Sequence, residues 1–142
     1  MISLATLITK IGTDTTYRVR AAQAEDNELI DVDPIATTPL IIVGYGPIRN
    51  SHPEVITTFD LYEKNADDLV QSFYLKYVCL NSDFRTVFVS MYKLLSSYNP
   101  NAPGDVNTGF GYIDGAPLGF NNEMFWFLCE WRINFPTNTL LI

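Results

Sequence analysis

Apolar and polar residues alternate along residues 124–136, whose sequence is MFWFLCEWRINFP. A period of two over this length predicts a long β-strand near the end of the chain, with one fully buried face. That face consists of the odd positions: Phe125, Phe127, Cys129, Trp131, Ile133 and Phe135. Trp126 and Leu128 lie on the opposite face, where we expect a neighbouring subunit to cover them. These two residues are therefore the candidate subunit interface.

Three other segments have strand-like patterns. Residues 39–43 (PLIIV) form a compact β-branched run that ends at a glycine-rich turn, residues 44–47. Residues 56–62 (ITTFDLY) alternate well enough for a strand, and residues 72–80 (SFYLKYVCL) predict a longer one. One face of the longer strand is apolar: Phe73, Leu75, Tyr77 and Cys79. We expect this face to pack with the buried face of the terminal strand.

Two segments carry the 3.6-residue period of an amphipathic helix. The first is short, with Ser3 as its expected N-cap and Gly12 as its expected end. Its apolar positions are Leu4, Leu7, Ile8 and Ile11. The second covers residues 83–98, with Asn81 or Ser82 as its expected cap. Its apolar stripe consists of Phe84, Val87, Phe88, Met91, Leu94, Leu95 and Tyr98.

Two other segments are less regular. Residues 18–24 fit either a helix or a strand. Residues 99–122 are rich in Asn, Gly and Pro, and they predict a long loop with at most a short strand near residues 110–113.

The order helix, strand, strand, strand, helix, strand predicts an α+β fold. We expect a mostly antiparallel β-sheet, with the N-terminal helix and the second amphipathic helix packed on one face. The 142 residues fit a single domain, residues 1–142, in which residues 137–142 form a C-terminal tail. No apolar run has the length of a membrane span, and no basic region precedes the first apolar run as in a signal peptide.

The composition favours a protein that is covered by partners. Charged residues make up only 18% of the chain and aromatic residues 13%, and interface cores are poor in charge and rich in aromatics. We therefore expect a homo-oligomer or assembly subunit. The net charge of −7 argues against a protein that binds nucleic-acid phosphates.

Five acidic residues are concentrated within nine positions: Glu25, Asp26, Glu28, Asp31 and Asp33. The simpler interpretation is a solvated loop. The alternative is a surface that repels nucleic acid or meets a basic partner.

No set of residues predicts catalysis, a cofactor or a metal. His52 is the only histidine, and no candidate partner for a general base lies near it in sequence. Cys79 and Cys129 fall on apolar strand faces, which predicts buried free thiols. Gly44 and Gly46 follow a strand but lack the third glycine of a nucleotide-binding loop. We expect a protein that is not an enzyme and that has no cofactor.

The order and character of the elements resemble the tail terminator (tail completion) proteins of long-tailed bacteriophages. The resemblance covers most of the chain: the N-terminal helix at residues 4–11, an acidic region, the proline-led strand at 39–43, the long strand at 73–80, the helix at 83–98, a glycine-rich loop and the final aromatic strand. It implies a virion protein, assembled in the host cytoplasm, whose homohexameric ring caps the tail tube and joins it to the neck or connector.

The resemblance also implies how DNA is handled. DNA passes through such a ring without specific binding, and an acidic bore would keep phosphates from adhering. The residues from Glu25 to Asp33 are therefore candidates for the bore or rim, and residues 99–122 for contact with a neighbouring ring.

Two other functions stay open from the sequence. Another virion component, such as a neck, head-completion or baseplate subunit, could share the layout. A small cytoplasmic α+β enzyme or ligand-binding domain would instead have a pocket with convergent polar groups, near His52. The oligomeric state is the observation that best separates these functions.

Overall fold

The computed structural model describes residues 2–23, 38–50, 68–100, 109–121 and 123–136; for residues 50, 68 and 134–136 it describes the backbone only. These ranges contain two α-helices and five strands, and the predicted α+β class is confirmed. In chain order they are α1 (Leu4–Asp14), β1 (Arg18–Ala21), β2 (Leu40–Asn50), β3 (Asp68–Leu80), α2 (Phe84–Ser96), β4 (Phe110–Asn121) and β5 (Met124–Pro136). The predicted strand at residues 56–62 and the tail at 137–142 lie outside the described residues.

The five strands form one sheet in the order β1-β2-β3-β5-β4. β1 runs parallel to β2, and the other pairs are antiparallel. β3 and β5 pair without interruption from Asp68 opposite Pro136 to Leu80 opposite Met124. The expected partnership of these two strands is confirmed, because Leu75 lies opposite Cys129 and Tyr77 opposite Phe127.

Both helices pack on the same face of the sheet, which we call the helix face. α1 lies against β1 and β2, whereas α2 lies against β3 and β4. Leu7 and Ile11 of α1 and Val87, Met91 and Leu95 of α2 are fully buried there. The side chains of the sheet that they cover include Ile41, Val43, Phe73, Leu75, Tyr77, Cys79, Cys129, Trp131 and Ile133. Burying a large apolar side chain contributes about 1.5–3 kcal/mol, so this face holds the main core.

The first helix begins as predicted and ends later. Ser3 is its N-cap, and the Ser3 hydroxyl accepts a hydrogen bond from the Thr6 amide at 3.1 Å. The helix does not end at Gly12 but continues to Asp14. Thr15 closes it, because both its amide (3.0 Å) and its hydroxyl (2.8 Å) donate to the Ile11 carbonyl.

The second helix also starts differently from the prediction. Asn81 and Ser82 do not cap it, because residues Asn81–Asp83 form a 3-10 turn in front of it. The N-cap is Asp83, which makes no side-chain capping hydrogen bond. No helix in the described ranges has the length and apolar character needed to cross a membrane.

The glycine-rich segment after residue 43 is not a turn. β2 continues through it to Asn50, with an irregularity between Tyr45 and Ile48 in its pairing to β3. A Cβ on Gly46 would lie 2.9 Å from the Ser72 Cβ, so only glycine allows the two strands to approach this closely. The glycines therefore mark a bulge inside a long strand.

Two predictions for the strands at the sheet edges need revision. Residues 18–24, which fit a helix or a strand, contain the short edge strand β1. The predicted loop at 99–122 contains β4, a strand of 12 residues at the other edge. β4 was not predicted because its alternation is interrupted by three glycines, Pro117 and two register shifts.

Candidate subunit interface

Trp126 is buried within this chain, contrary to the sequence-based expectation that a neighbour covers it. It lies on the face of the sheet opposite the helices, which we call the second face, and only 1% of its surface is exposed. A small second core surrounds it: Leu40, Ile42, Val78 and Met124, with Leu80 partly buried at its edge. The Lys76 ammonium lies 6.0 Å from the centre of the Trp126 ring. Trp126 therefore needs no neighbouring subunit to bury it, and this reason for placing it at an interface was wrong.

Leu128, two residues along on the same face, stays partly exposed. It separates two cavities on the second face. One, of about 260 Å³, lies toward β1 and is lined by Ala22, Ile42, Tyr74 and Lys76 among others. The other, of about 130 Å³, lies toward β4 and is lined by Asp114, Ala116 and Glu130 among others. Of the two predicted interface residues, Leu128 is thus the one that offers surface.

The predicted acidic bore or rim cannot be placed in the fold. Glu25, Asp26, Glu28, Asp31 and Asp33 all lie outside the described residues. Their assignment stays a prediction.

A strip of seven aromatic rings, contributed by β4, β5 and α2, lies on the helix face. The sequence did not indicate it. Successive ring centres lie 4.9–6.3 Å apart, a separation typical of packed aromatic pairs. We call this set the aromatic strip: Phe120, Phe125, Phe84, Phe88, Tyr92, Tyr112 and Trp131. The helical period predicted Phe84 and Phe88, but Tyr112 and Phe120 join them only through the pairing of β4 with β5.

The aromatic strip is buried at Trp131 and open at other members. Phe120 is 60% exposed and Tyr92 is 45% exposed. Val89, next to Phe88 on α2, is also exposed, and a cavity of about 240 Å³ opens among Phe88, Val89, Tyr92 and Lys93. A contiguous exposed apolar surface on a globular protein is a mark of an interaction site.

Both thiols of the described residues are inaccessible. Cys79 and Cys129 are buried and unpaired, which confirms the expectation of buried free thiols. Burial raises the pKa of each thiol to about 11, so both stay protonated near neutral pH. His52 lies outside the described residues, which contain no cluster of three or more metal-ligating side chains.

The chain matches no protein-family model and no curated protein. Its function is therefore inferred from the fold, from the exposed surfaces and from the resemblance in layout.

Proposed function

We propose that this chain is a structural virion protein: a subunit of a ring that caps a phage tail tube and joins the tail to the neck or connector, with DNA passing through the bore. The proposal joins the resemblance in layout to an α+β fold that has an N-terminal helix and both helices on one face of the sheet. A ring subunit acts through the surfaces that it presents to its neighbours. Its function is therefore to be sought in exposed surfaces rather than in a pocket.

The observation that carries the proposal is the exposed part of the aromatic strip. Phe120 and Tyr92 hold large apolar surfaces in water at the β4 end of the fold, although the same strip is buried at Trp131. All its members are aromatic, and interface cores are rich in aromatic residues. An assembly that covers this surface is stabilised by the hydrophobic effect, because the exposed apolar area is then removed from water.

The buried thiols fit the same proposal. Cys79 and Cys129 pack in the core between the sheet and the helices, where they contribute apolar volume. Neither presents a thiolate at the surface at neutral pH. Their position is that of packing residues in a structural subunit.

The oligomeric state tests the proposal. We expect light scattering at micromolar concentration to find a closed species of about six chains, either alone or after addition of purified tail tubes. A protein that stays monomeric in both conditions contradicts the proposal. Gold labelling of a tagged chain in intact virions then separates a tail terminator, which lies at the junction of tail and neck, from a head-completion or baseplate subunit.

A further inference from the structure

We infer that the outer face of α2 binds a second copy of this chain, at an acidic surface of that copy and not at its α2. The residues of this face, which we call the α2 patch, are Arg85, Val89, Tyr92 and Lys93. Neighbours in a cyclic ring of identical chains meet through two different patches. The α2 patch is one of these two, so the inference rests on the proposed ring.

The helical period places the α2 patch on the side of the helix away from the sheet. Successive residues of an α-helix are rotated by about 100°, so residues two positions apart point in nearly opposite directions. The residues of α2 that are fully buried are Val87, Met91 and Leu95. Two positions before each of them lies an exposed residue: Arg85, Val89 and Lys93.

The centre of the α2 patch is apolar. Val89 is 41% exposed, and the cavity of about 240 Å³ beside it is open to a side chain of a partner. Valine is a poorer helix former than alanine, so helix formation does not account for an exposed valine in the middle of α2. A partner that covers Val89 removes its apolar surface from water, which is favourable.

Two positive charges flank this centre. Arg85 lies one turn before Val89 and Lys93 one turn after it, so their Cα atoms are about 12 Å apart along the helix axis. Neither side chain forms an ion pair with a described residue, since the salt bridge found within the described ranges joins Lys10 to Asp14. An apolar centre between two such cations fits a surface that carries carboxylates around an apolar side chain.

The same charges argue against a contact between two α2 helices. If two copies of α2 packed antiparallel about a two-fold axis at Val89, Arg85 of each copy would face Lys93 of the other. Parallel packing would place each of these residues beside its own counterpart. Both arrangements bring like charges together, which disfavours them. The surface that meets the α2 patch is therefore a different and acidic one.

A second copy of the chain supplies acidic surface in excess. The chain has 9 basic and 16 acidic residues, and its net charge is −7. Eight of the basic residues lie in the described ranges, which contain only six of the acidic ones. None of the acidic residues belongs to α2. A neighbouring copy thus offers mostly negative charge outside its own α2, and charge complementarity of this kind favours the heterologous contact that a ring needs.

Charge reversal on α2 tests the inference. Arg85→Glu and Lys93→Glu each place a carboxylate against the acidic surface of the neighbour, so we expect each variant to assemble at least about tenfold more weakly than the wild type. Light scattering over a series of protein concentrations measures this, in the condition in which the wild type forms rings. An antiparallel pair of α2 helices would respond in the opposite way to Lys93→Glu, because the new carboxylate would face Arg85 of the other copy and strengthen assembly.

Val89→Ala separates assembly from folding. Alanine is the better helix former, so the urea midpoint of this variant should be equal to that of the wild type or higher. Its assembly should nevertheless be about threefold weaker or more, because apolar surface is lost from the contact. A lower urea midpoint with unchanged assembly would mean that Val89 packs within its own chain, and it would contradict the inference.

Arg49→Glu is the matched control for net charge. It changes the charge of the chain by the same amount at an exposed residue of β2, outside the α2 patch, and it should leave assembly unchanged. If it weakens assembly as much as Arg85→Glu does, the effect comes from the net charge and the inference is wrong. Far-ultraviolet circular dichroism and the urea midpoint of each variant identify loss of folding.

The results that overturn the inference differ from those that overturn the ring. If Lys93→Glu strengthens assembly, α2 meets α2 and the acidic partner surface is wrong. If the wild type forms rings and no α2 variant changes them, the α2 patch lies outside the contact and the proposed function stands. If the wild type forms no ring with or without tail tubes, the proposed function fails, and the inference fails with it.

Discussion

Gln71 and Ile2 exchange two buried hydrogen bonds across 69 residues of sequence. The Ile2 amide donates to Gln71 Oε1 at 3.0 Å, and Gln71 Nε2 donates to the Ile2 carbonyl at 2.8 Å. Gln71 lies on β3, and Ile2 immediately precedes the N-cap of α1. One side-chain amide thus ties the beginning of the chain to the middle of the sheet. It also explains why a polar side chain is fully buried on the helix face.

Gln71→Leu should lower the free energy of unfolding by about 2 kcal/mol, because it leaves a buried N–H and a buried C=O without partners. Urea denaturation measures the change, and hydrogen exchange should speed up at the amide of Ile2. Tyr45→Phe is the control. It removes an exposed hydrogen bond that the Leu4 amide, two residues after Ile2, donates to the Tyr45 hydroxyl. An equal decrease in the free energy of unfolding for the two variants would mean that the buried Gln71 hydrogen bonds stabilise the fold no more than the exposed one.

Trp126 and Leu128 should respond differently to truncation, although they occupy one face of one strand. Trp126→Ala removes a side chain that is 1% exposed, so we expect a loss of about 3–5 kcal/mol in the free energy of unfolding. Leu128→Ala removes a partly exposed side chain and should cost clearly less. Urea denaturation gives the stabilities, and light scattering gives the oligomeric state. A stable, fully folded Trp126→Ala monomer would restore the original assignment of Trp126 to an interface.

The central strands could be predicted from the sequence, and the edge strands could not. β3 and β5 are covered by helices on one face, so their odd residues are apolar over most of their length, with Gln71 of β3 as the polar exception. β4 has helices over only part of its length and bulges at Ile113 and Leu118, so its pattern loses the period of two. β1 has four residues, which is too short for any period to be recognised.

The candidate interface shows a second limit of the sequence. Alternation placed Trp126 correctly on the face away from the helices, but periodicity does not say what covers a face. Leu40, Ile42 and Val78, which are distant in sequence, are brought against Trp126 by strand pairing. The aromatic strip was missed for the same reason, because Phe120 reaches Phe125 only through the register of β4.

Gly115 should tolerate a side chain poorly, whereas Gly111 should accept one. A Cβ on Gly115 would lie 2.5 Å from Phe127 Cζ and 2.6 Å from the Tyr112 hydroxyl, inside packed aromatic surface. We expect Gly115→Ala to lower the free energy of unfolding by about 1–3 kcal/mol through overpacking. Nothing lies within 4 Å of a Cβ on Gly111, so Gly111→Ala in the same strand is the matched control. Thermal denaturation compares them, and equal midpoints would show that the rings near Gly115 move aside freely.

Cys129 should make the stability of the protein fall at alkaline pH. Burial raises the pKa of its thiol to about 11, whereas an unfolded thiol titrates near its ordinary value of about 8.5. Between these pKa values the unfolded chain loses a proton that the folded chain keeps, so the free energy of unfolding decreases as pH rises from about 8.5 to 11. The full effect of this one thiol is about 3 kcal/mol, and it is absent below about pH 8.

Cys129→Ala separates this contribution from that of Cys79, whose pKa is also raised to about 11. Its effect includes a part from Tyr77, because Cys129 contributes to the raised pKa of that hydroxyl. At about pH 7 the variant should be less stable than the wild type, because it loses the volume of a fully buried sulfur. Between about pH 8.5 and pH 11 its stability should nevertheless fall less steeply, because the proton released on unfolding is gone. Urea denaturation at half-unit steps of pH measures both slopes. Parallel slopes for the two proteins would mean that the Cys129 thiol ionises as readily in the folded chain as in the unfolded one.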